Sequence, residues 1–571
     1  MKSESLTVAR ASGLALALGV GAVGAAFSLQ KIRTFDYWWH LRAGQWIAEN
    51  GAVPQFDPFT FSVPGARWID IHWLHQLALY GLHSLAGHPA VVFGKAFLVL
   101  LMLLFLARAV ARTDRPGSTA LALLLAVLTL SDRIMPRPEL PTFVLLAAEL
   151  ALLQRFRHRP DAWIYALIPL HLVWVNLHGL FAVGIGLLFL ALAAEWLEGW
   201  LPGRPKPDLS RIRRLLVVAL LSLLACLLNP NGLEGLLYPV QQLFMIGPVE
   251  LRSQVGLSSV ELGSLIGHWR SVDPTALFGF LALAAGSGVA MLLNLRRLPV
   301  FDALVWGCFF LLALLAMRNV ALFGVAAAPL LARHLGTFMD RHPPRRSVSM
   351  TSRALLASAL LLLAGLVGSG WWALATASAR APGLGVMGTL YPIGAADWIA
   401  RESPRGPIYH HMGDGGHLIW RLHPDYPVLI DGRLEVFGSQ LRELTGTSPE
   451  AFQHLDERFH FGIALLGYNH FDLGRLLPWL IEQEEWRLTY LDEVSALFVR
   501  RTPAMAHLRE VDIEADDLFP PIEGPRSVEQ LMRLQGRARF YHAAGRSFDA
   551  RRIVQDLTHR YPAFVRAGGA R

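Results

Sequence analysis

The sequence predicts a polytopic α-helical membrane protein that ends in a water-soluble region. Of the 571 residues, 53% are hydrophobic and 17% are charged, whereas soluble domains contain about 25% charged residues. Apolar runs long enough to cross a bilayer recur as far as Ala377, and from about Pro382 the composition becomes that of a soluble domain. The net charge of +8 fits basic loops on one side of a membrane. We therefore expect membrane lipid, and no nucleic acid, among the partners.

About eleven apolar runs approach the length of a membrane-spanning helix, which needs about 20 residues. The first run follows Lys2 and Arg10, as in a signal peptide. It is long enough to span the membrane, so we expect a retained anchor. The runs cover approximately residues 8–29, 91–109, 118–131, 140–156, 162–175, 180–196, 215–228, 275–293, 300–316, 320–335 and 354–377.

The connecting loops alternate between basic and non-basic. With the N-terminus inside the cell, every inner loop is basic, as the positive-inside rule requires for an odd number of spans. This pattern predicts a multi-pass protein of the cytoplasmic membrane with a cytoplasmic N-terminus and an extracytoplasmic C-terminal domain. The basic residues of the inner loops are Arg108, Arg112, Arg115, Arg155, Arg157, Arg159, Arg204, Lys206, Arg211, Arg213, Arg214, Arg296, Arg297, Arg333, Arg341, Arg345, Arg346 and Arg353.

The first outer loop, residues 31–90, contains the most informative segment. A helix beginning at Asp36 would present an aromatic stripe to the lipid headgroup boundary and would bring His40 to another face beside Asp36. The Asp36 carboxylate would then be either a reaction group at the membrane surface or a local helix N-cap. Asp57 is expected to start a turn. The stripe consists of Trp39, Ala43, Trp46 and Ile47.

Polar residues also concentrate at the other outer helix ends. Ionisable groups at membrane depth are functional-site candidates, although helix caps and ordinary loop residues would give the same pattern. Lys95 could instead extend its amine to the interface, and the arginines could be rim charges. The candidate binding residues are His40, Asp70, His72, His75, Lys95, Arg133, Arg137, Glu139, Asn176, His178, Asn229 and Arg318, and the fourth outer loop adds Glu250, Glu261, His268 and Arg270.

The predicted domains are a transmembrane domain, residues 1–377, and three parts that follow it. Residues 378–510 should form a small extracytoplasmic α/β domain, residues 511–526 an acidic linker, and residues 527–571 a helical hairpin. The hairpin resembles a single tetratricopeptide repeat, which must pack on another surface, so a protein partner is left open there. Strands are predicted at 408–409, 428–430, 464–467 and 496–500, and a helix at 478–486.

Two glycine-rich stretches of the α/β domain, HHMGDGGHLIWRL and VLIDGRLEVFG, contain further polar residues. We expect these residues to support the fold or to grip an acceptor, since no nucleophile–base arrangement, phosphate loop or metal spacing accompanies them. The glycines are expected in tight turns, and Arg433 beside Glu435 on one strand face. The polar residues are His410, His411, Asp414, His417, Asp431, Arg433 and Glu435.

Several of these motifs resemble the GT-C superfamily of membrane glycosyltransferases. Asp36 and the DYWWH helix resemble the acidic start of the long first outer loop in that superfamily, and WLH through Gly87 resembles the in-plane helix of the same loop. The resemblance covers residues 1–377 and an outward C-terminal domain. The motifs RPE (137–139), WVNLHG (174–179) and LNPNG (228–232) are similar to helix-end motifs of uncharacterised bacterial members.

The resemblance implies transfer of a sugar from a polyprenyl-phosphate carrier to an acceptor at the outer face of the membrane. Asp36 would orient or deprotonate the acceptor hydroxyl, and fixed cations would hold the leaving phosphate. Asn176 and His178 would hydrogen-bond sugar or phosphate. The candidate cations are Lys95, Arg133, Arg137 and Arg318.

The need for a metal stays open at this point. A second Asp-x-Asp motif like that of oligosaccharyltransferase catalytic subunits is missing from the sequence, so Mg²⁺ or Mn²⁺ is not assigned. Asp70, His72 and His75 could bind a divalent ion, but hydrogen-bonding histidines are the preferred interpretation.

Two other functional classes compete with the enzyme. One is a membrane scaffold of GT-C-like shape that docks partners through its C-terminal region. The other is a transporter, which would require charged residues in the middle of spans, and Glu149 is nearly alone there. Neither the sugar, the carrier nor the acceptor follows from the sequence.

Overall fold

The computed structural model describes residues 2–110, 115–204, 206–245, 269, 272–343, 350–469, 473–522, 524, 526–562 and 564–565. Contacts divide the chain into two compact units. The membrane unit comprises the described residues of 1–30, 89–247 and 258–369, and the mixed unit those of 31–88 and 370–571. Some residues singled out above lie outside the described residues, namely Arg112, Glu250, Glu261, His268, Arg270, Arg345 and Arg346.

The membrane unit is helical. Five helices of the described chain are long and apolar enough to cross a membrane, and three shorter ones are also apolar; the count of eleven spans stays a prediction. The helices are α1 (Lys2–Ser28), α3 (Trp73–Val110), α4 (Pro116–Leu130), α5 (Glu139–His158), α6 (Leu167–Leu177), α7 (Phe181–Glu198), α8 (Leu209–Ala225), α9 (Gly232–Met245), α10 (Pro274–Leu292), α11 (Val300–Leu315), α12 (Val320–Arg341) and α13 (Met350–Gly368).

Helix α12 is the centre of this unit, because it packs against α4, α10 and α11. Small residues allow the close approach that membrane helices need in the absence of a hydrophobic driving force. A β-carbon at Gly279 would lie 2.5 Å from the Thr129 nitrogen, and one at Gly324 would lie 2.7 Å from a Leu130 methyl. Helix α3 begins in the mixed unit and bends at Ala86 and Gly87, where Gly87 has a φ of 66°.

The mixed unit contains a four-stranded sheet in the order β1-β2-β4-β3. Strand β1 (Ile408–Tyr409) pairs parallel to β2 (Ile463–Gly467), which pairs antiparallel to β4 (Ser495–Arg500), and β4 pairs antiparallel to β3 (Trp486–Leu491). The helices are α2 (Asp36–Asn50), α14 (Trp371–Thr376), α15 (Ile393–Glu402), α16 (Met412–Leu422), α17 (Leu434–Phe437), α18 (Leu441–Leu444), α19 (Pro449–Phe459), α20 (Leu473–Glu482), α21 (Val528–Ala543) and α22 (Ser547–Arg560).

The first outer loop is an integral part of the mixed unit. Trp39, Ala43, Phe59 and Trp68 are buried in the same hydrophobic core as the sheet strands. The predicted domains placed residues 31–90 with the transmembrane domain, whereas contacts group 31–88 with the C-terminal region. The expectation of an aromatic stripe at the lipid headgroups is corrected for the same reason, since α2 packs against α16 and Trp39 and Ala43 of the stripe enter the core.

Two local expectations for the C-terminal region also change, and a third is met. Residues 428–430 are not a strand of the sheet; Val428 instead exchanges backbone hydrogen bonds with Phe59 and Phe61. The helix predicted at 478–486 lies at Leu473–Glu482, and Trp486 begins β3. The hairpin is present, with α21 and α22 joined at Gly545, whose φ of 79° suits a glycine. Its kinship with tetratricopeptide repeats stays a prediction.

Candidate functional site

Asp36 is the first residue of α2, and its carboxylate is half-buried. Phe35 occupies the N-cap position and forms no side-chain capping bond. Asp36 is therefore not the helix N-cap, which was one of the two roles considered for it from the sequence. The indole Nε1 of Trp39 donates a hydrogen bond of 3.3 Å to Asp36 Oδ1. Because Trp39 is buried, it holds the carboxylate in one orientation. A negative charge in the first turn is also favoured by the helix dipole.

Gly432 lies against this carboxylate. A β-carbon at Gly432 would be 2.7 Å from Asp36 Oδ1 and 3.1 Å from Trp39 Nε1. On the next helix, α16, a β-carbon at Gly416 would be 3.0 Å from the Phe35 carbonyl oxygen, and one at Gly415 would be 1.9 Å from the Ile430 oxygen. Gly416 and Gly432 therefore serve close packing around α2, whereas Gly438, with a φ of 51° and open space around its β-carbon position, keeps the expected turn role.

Arg433 connects the first outer loop to the Asp-Gly-Arg turn. Its side chain is fully buried and pairs with Asp57 at 2.8 Å and with Asp431 through bonds of 2.6 and 2.9 Å. The guanidinium also lies 4.5 Å from the Trp68 ring centroid and 5.0 Å from that of Phe59. This bidentate, ring-flanked arrangement is the geometry that an arginine stabilises best. Asp431-Gly432-Arg433 is thus fixed beside Asp36.

This geometry corrects one sequence expectation and confirms another. Arg433 does not share a strand face with Glu435, because Leu434–Phe437 is the short helix α17. Asp57 does start a turn, since its Oδ1 accepts from the Phe59 nitrogen and its Oδ2 from the Thr60 nitrogen. It is also half of a buried ion pair, which a turn motif alone does not reveal.

The imidazoles predicted on the first loop come together in the mixed unit. The His40 ring centroid lies 5.5 Å from those of both His72 and His75. Asp70 is buried beside them, and its Oδ1 accepts hydrogen bonds from the His72 nitrogen and from Gln76 Nε2 at 3.0 and 2.9 Å. Four predicted binding residues therefore form one cluster on the loop that begins at Asp36.

The donor set of this unit does not fit a metal ion. Throughout the part of the chain that the structure describes, no group of three or more His, Cys, Asp or Glu side chains is arranged to hold one. The two carboxylates nearest Arg433, those of Asp57 and Asp431, are both engaged by its guanidinium. We therefore derive no step through a metal.

The pKa of Asp70 is raised to about 7, chiefly by burial and also by the nearby charge of Glu435, although its hydrogen bonds and Arg433 act in the opposite direction. A folded-state pKa above the unfolded value of 3.8 means that the folded protein binds the extra proton. Its contribution to stability is complete below about pH 4 and is lost as the pH rises through about 7. Burial also raises the pKa of Glu435, so its effect has the same sign.

We expect Asp70→Asn to weaken the pH dependence of stability. The melting temperature of the purified full-length protein should fall between pH 5 and pH 8, and the fall should be smaller in Asp70→Asn, whose amide oxygen can still accept the bond from His72. Thermal unfolding in detergent at both pH values measures this. Asp397→Asn, an exposed acid paired with Arg421, is the control. Equal falls in the wild type and in Asp70→Asn would contradict the assignment.

The other predicted binding residues lie in the membrane unit. Arg133 and Arg137 both approach Glu139, at 3.9 and 3.4 Å, so these three charges form one cluster at the start of α5. Arg318 lies in the 3₁₀ turn Met317–Asn319 between α11 and α12. Lys95 is buried, and its Nζ donates to the Gln30 carbonyl at 2.9 Å, just after α1 ends. That bond favours a structural role for Lys95 over the phosphate role.

The amide and imidazole candidates have structural partners too. Asn176 donates to the carbonyls of Leu172 and Leu228. Asn229 donates to the carbonyls of Cys226 and Gly232 and accepts from the Asn231 nitrogen. His178 bonds to Thr142 at 3.1 Å. Glu149, which had no assigned partner, faces His171 at 3.7 Å, and both side chains are fully buried.

The three histidines of the glycine-rich stretches make contacts within the fold. His410 Nε2 accepts from the Leu429 nitrogen at 3.0 Å, and His411 Nδ1 caps α16 by accepting from the Gly413 nitrogen. Burial lowers the pKa of His417 to about 4, so this ring is neutral, and it packs against Trp38 at 4.7 Å.

A shallow cleft of about 370 Å³ lies on the mixed unit. Its walls include the rings of Phe61 and Tyr426 and the charged side chains of Arg405 and Asp425. None of the predicted site residues lines it. Sequence reasoning missed the contact of Gly432 with Asp36 and the role of Trp39, because it placed the aromatic helix and the glycine-rich turn in different domains.

Comparison with solved structures shows what the whole chain is similar to. The crystal structure of the Archaeoglobus fulgidus oligosaccharyltransferase in its apo form matches with a TM-score of 0.53 at 14% identity, over 79% of this chain and 70% of that chain. The same enzyme tethered to an acceptor peptide with an NVT sequon matches with a TM-score of 0.56 at 13% identity, over 85% and 74%. The chain has a GT-C fold. No family model and no curated protein matches the sequence.

At these identities the likeness shows the fold alone. The GT-C expectation is confirmed at this level, and so is the helical membrane character that it includes. Membership of a bacterial branch stays a prediction, as do the donor, the acceptor and the role of each GT-C site residue.

Proposed function

We propose that this protein is a membrane glycosyltransferase that moves a sugar from a polyprenyl-phosphate-linked donor to an acceptor hydroxyl or amide. The observation that carries the proposal is the half-buried Asp36 carboxylate, oriented by Trp39 and closed in by Gly432 on a GT-C fold. A carboxylate that is fixed but still accessible suits a group that takes or orients a proton. Experiment decides whether the acceptor is a glycan, a lipid or a protein.

The proposed reaction divides into two demands. The acceptor oxygen or nitrogen forms a bond to the anomeric carbon while the bond from that carbon to the phosphate oxygen breaks. The Asp36 carboxylate orients the acceptor group and takes the proton that it loses. Negative charge then grows on the lipid phosphate, which fixed cations stabilise. The Arg133–Arg137 cluster and Arg318 are the proposed phosphate holders, whereas Lys95 is the weaker candidate because of its bond to Gln30.

The rigid support around Asp36 comes from neighbours that are themselves locked. The Arg433 network holds the turn that contains Gly432, and packing holds Trp39. A reacting group placed to within a few tenths of an ångström gains most from such preorganisation. The His40, His72 and His75 rings offer hydrogen bonds to a bound sugar in this proposal.

The proposed orientation places the mixed unit outside the cytoplasmic membrane. We expect a single cysteine at Ala52, in a Cys308→Ser background, to react with a membrane-impermeant maleimide in intact cells. A cysteine at Arg213 should react only after the membrane is opened, because its loop is basic. Both positions are exposed, and the native Cys226 is buried. The reverse labelling pattern would contradict this topology.

Gly432→Ala tests the geometry without changing any acid. The added methyl group would meet Asp36 Oδ1 at 2.7 Å, so the carboxylate must move. Because the displaced atom ends a flexible side chain, we expect normal expression and thermal stability but transfer reduced at least ~10-fold, as a displaced catalytic group predicts. Gly385→Ala, whose β-carbon would meet nothing within 4 Å, is the matched control. Unchanged transfer in Gly432→Ala would argue against a site at Asp36.

The proposal as a whole is tested in proteoliposomes. Purified protein is mixed with radiolabelled polyprenyl-phosphate hexoses and pentoses and with extracted envelope acceptors, and protein-dependent movement of label out of the carrier lipid is measured. Movement of label supports the proposal. If the protein is folded and the label stays in the carrier lipid for every donor and acceptor tested, the scaffold alternative is favoured.

A further inference from the structure

We propose that the membrane unit binds the phosphate headgroup of an anionic membrane lipid at a cluster formed by Arg157, Arg333, Asp302 and His334. Arg333 Nη2 lies 3.0 Å from Asp302 Oδ1, and His334 Nε2 lies 2.9 Å from Asp302 Oδ2. Arg157 Nη1 lies 3.9 Å from the same carboxylate. The cluster joins the end of α5, the start of α11 and the second half of α12.

Positive charge exceeds negative charge in this cluster. Two guanidinium groups face the single carboxylate of Asp302, and the neighbouring Arg204 is already balanced by Glu198 at 2.9 Å. Asp302 is buried, and the two arginine side chains are only 21% and 14% exposed. Both guanidinium groups share one carboxylate in a poorly solvated place, so an additional anion would stabilise the cluster.

Two donors of the cluster have no hydrogen-bond acceptor among the described residues. They are Arg157 Nη1 and Arg333 Nε, and both atoms are buried. Arg157 contacts the Phe301 ring at 4.8 Å instead. Arginines that only set the membrane topology need to carry charge at the surface. They do not need buried guanidinium groups whose N–H donors lack an acceptor. A phosphate group, with several strong acceptor oxygens, matches such donors.

The surroundings favour a lipid as the source of the phosphate. Trp196 and Trp200, at the end of α7, are 49% and 72% exposed, and exposed tryptophans of membrane proteins collect at the headgroup level. Glu198, between them, accepts from the Val300 nitrogen at the start of α11. The segment with the exposed tryptophans is therefore hydrogen-bonded to the start of α11, close to Asp302. Basic pockets between helices at this level of the membrane bind anionic headgroups.

The test uses full-length protein in detergent and measures lipid binding by native mass spectrometry and by thermal shift. Dioleoyl-phosphatidylglycerol is the probe, dioleoyl-phosphatidylcholine the neutral lipid, and inorganic phosphate the soluble anion. We expect the anionic lipid to bind and stabilise the wild type, with neither of the others doing so. Arg157→Gln should weaken the apparent affinity at least ~10-fold, because one charge-assisted contact is lost.

Arg157→Gln is preferred to a change at Arg333 because Arg157 makes no hydrogen bond to Asp302, so folding should be retained. Arg157→Lys should restore part of the affinity, and Arg213→Gln, an exposed residue of a basic loop, should leave it unchanged. Equal binding of both lipids, wild-type affinity in Arg157→Gln, an equal loss in Arg213→Gln, or full competition by inorganic phosphate would each overturn the assignment to a lipid headgroup.

Discussion

Asp36→Asn is expected to reduce sugar transfer at least ~10²-fold, the lower end of what a positioned general base contributes. The amide has the same shape as the carboxylate, and its oxygen can still accept the 3.3 Å bond from Trp39 Nε1. It can neither take a proton nor carry a negative charge toward the reacting centre. Initial rates of label transfer in proteoliposomes measure the effect.

Folding must be shown to survive this change. Asp36 is half-buried in the first turn of α2, so loss of its charge should cost about 1 kcal/mol or less through the helix dipole. Membrane abundance, monodispersity and melting temperature should therefore match the wild type. Asp397→Asn is the matched control, since Asp397 is an exposed acid of the same unit. Wild-type transfer in Asp36→Asn would place the reaction elsewhere.

Arg433→Met is expected to produce the largest loss of stability of any change considered. It leaves the carboxylates of Asp57 and Asp431 buried without their cation, and removal of one partner from a buried pair costs about 3–5 kcal/mol. The flanking contacts with Trp68 and Phe59 are also altered. A large drop in melting temperature and faster tryptic cleavage of the full-length protein would report this loss.

Two controls separate the buried network from a general effect of losing an arginine. Arg421→Met removes an exposed ion pair with Asp397, which is worth at most about 1 kcal/mol. The triple change Arg433→Met, Asp57→Asn and Asp431→Asn removes the uncompensated charges and should regain much of the lost stability. A triple variant as unstable as Arg433→Met alone would show that shape rather than charge dominates at this site.

Some features followed from one-dimensional patterns. Apolar runs and their flanking arginines predicted a helical membrane protein, because lipid admits only segments whose backbone bonds close internally. Asp36 at the start of a helix and strand β1 at Ile408–Tyr409 were each specified by neighbouring residues. Such features depend on the conformational propensity and hydrophobicity of neighbouring residues, which can be read directly from a sequence.

Other features were decided by contacts between distant parts of the chain. The Trp39 stripe is equally suited to a lipid interface and to a protein core, and only the packing of α2 against α16 shows that Trp39 and Ala43 enter the core. Residues 428–430 have the composition of a strand, but they pair with the first loop at Phe59 and Phe61.

What the sequence by itself determined is the membrane class, the GT-C likeness and the acidic residue that begins the first outer loop. Only the tertiary structure decided that Gly432 and Arg433, nearly 400 positions further along the chain, support that loop. The physical reason is that a charge such as Asp57 looks the same in a turn and in a buried ion pair. Its partner is selected by burial and geometry, and neither is local in sequence.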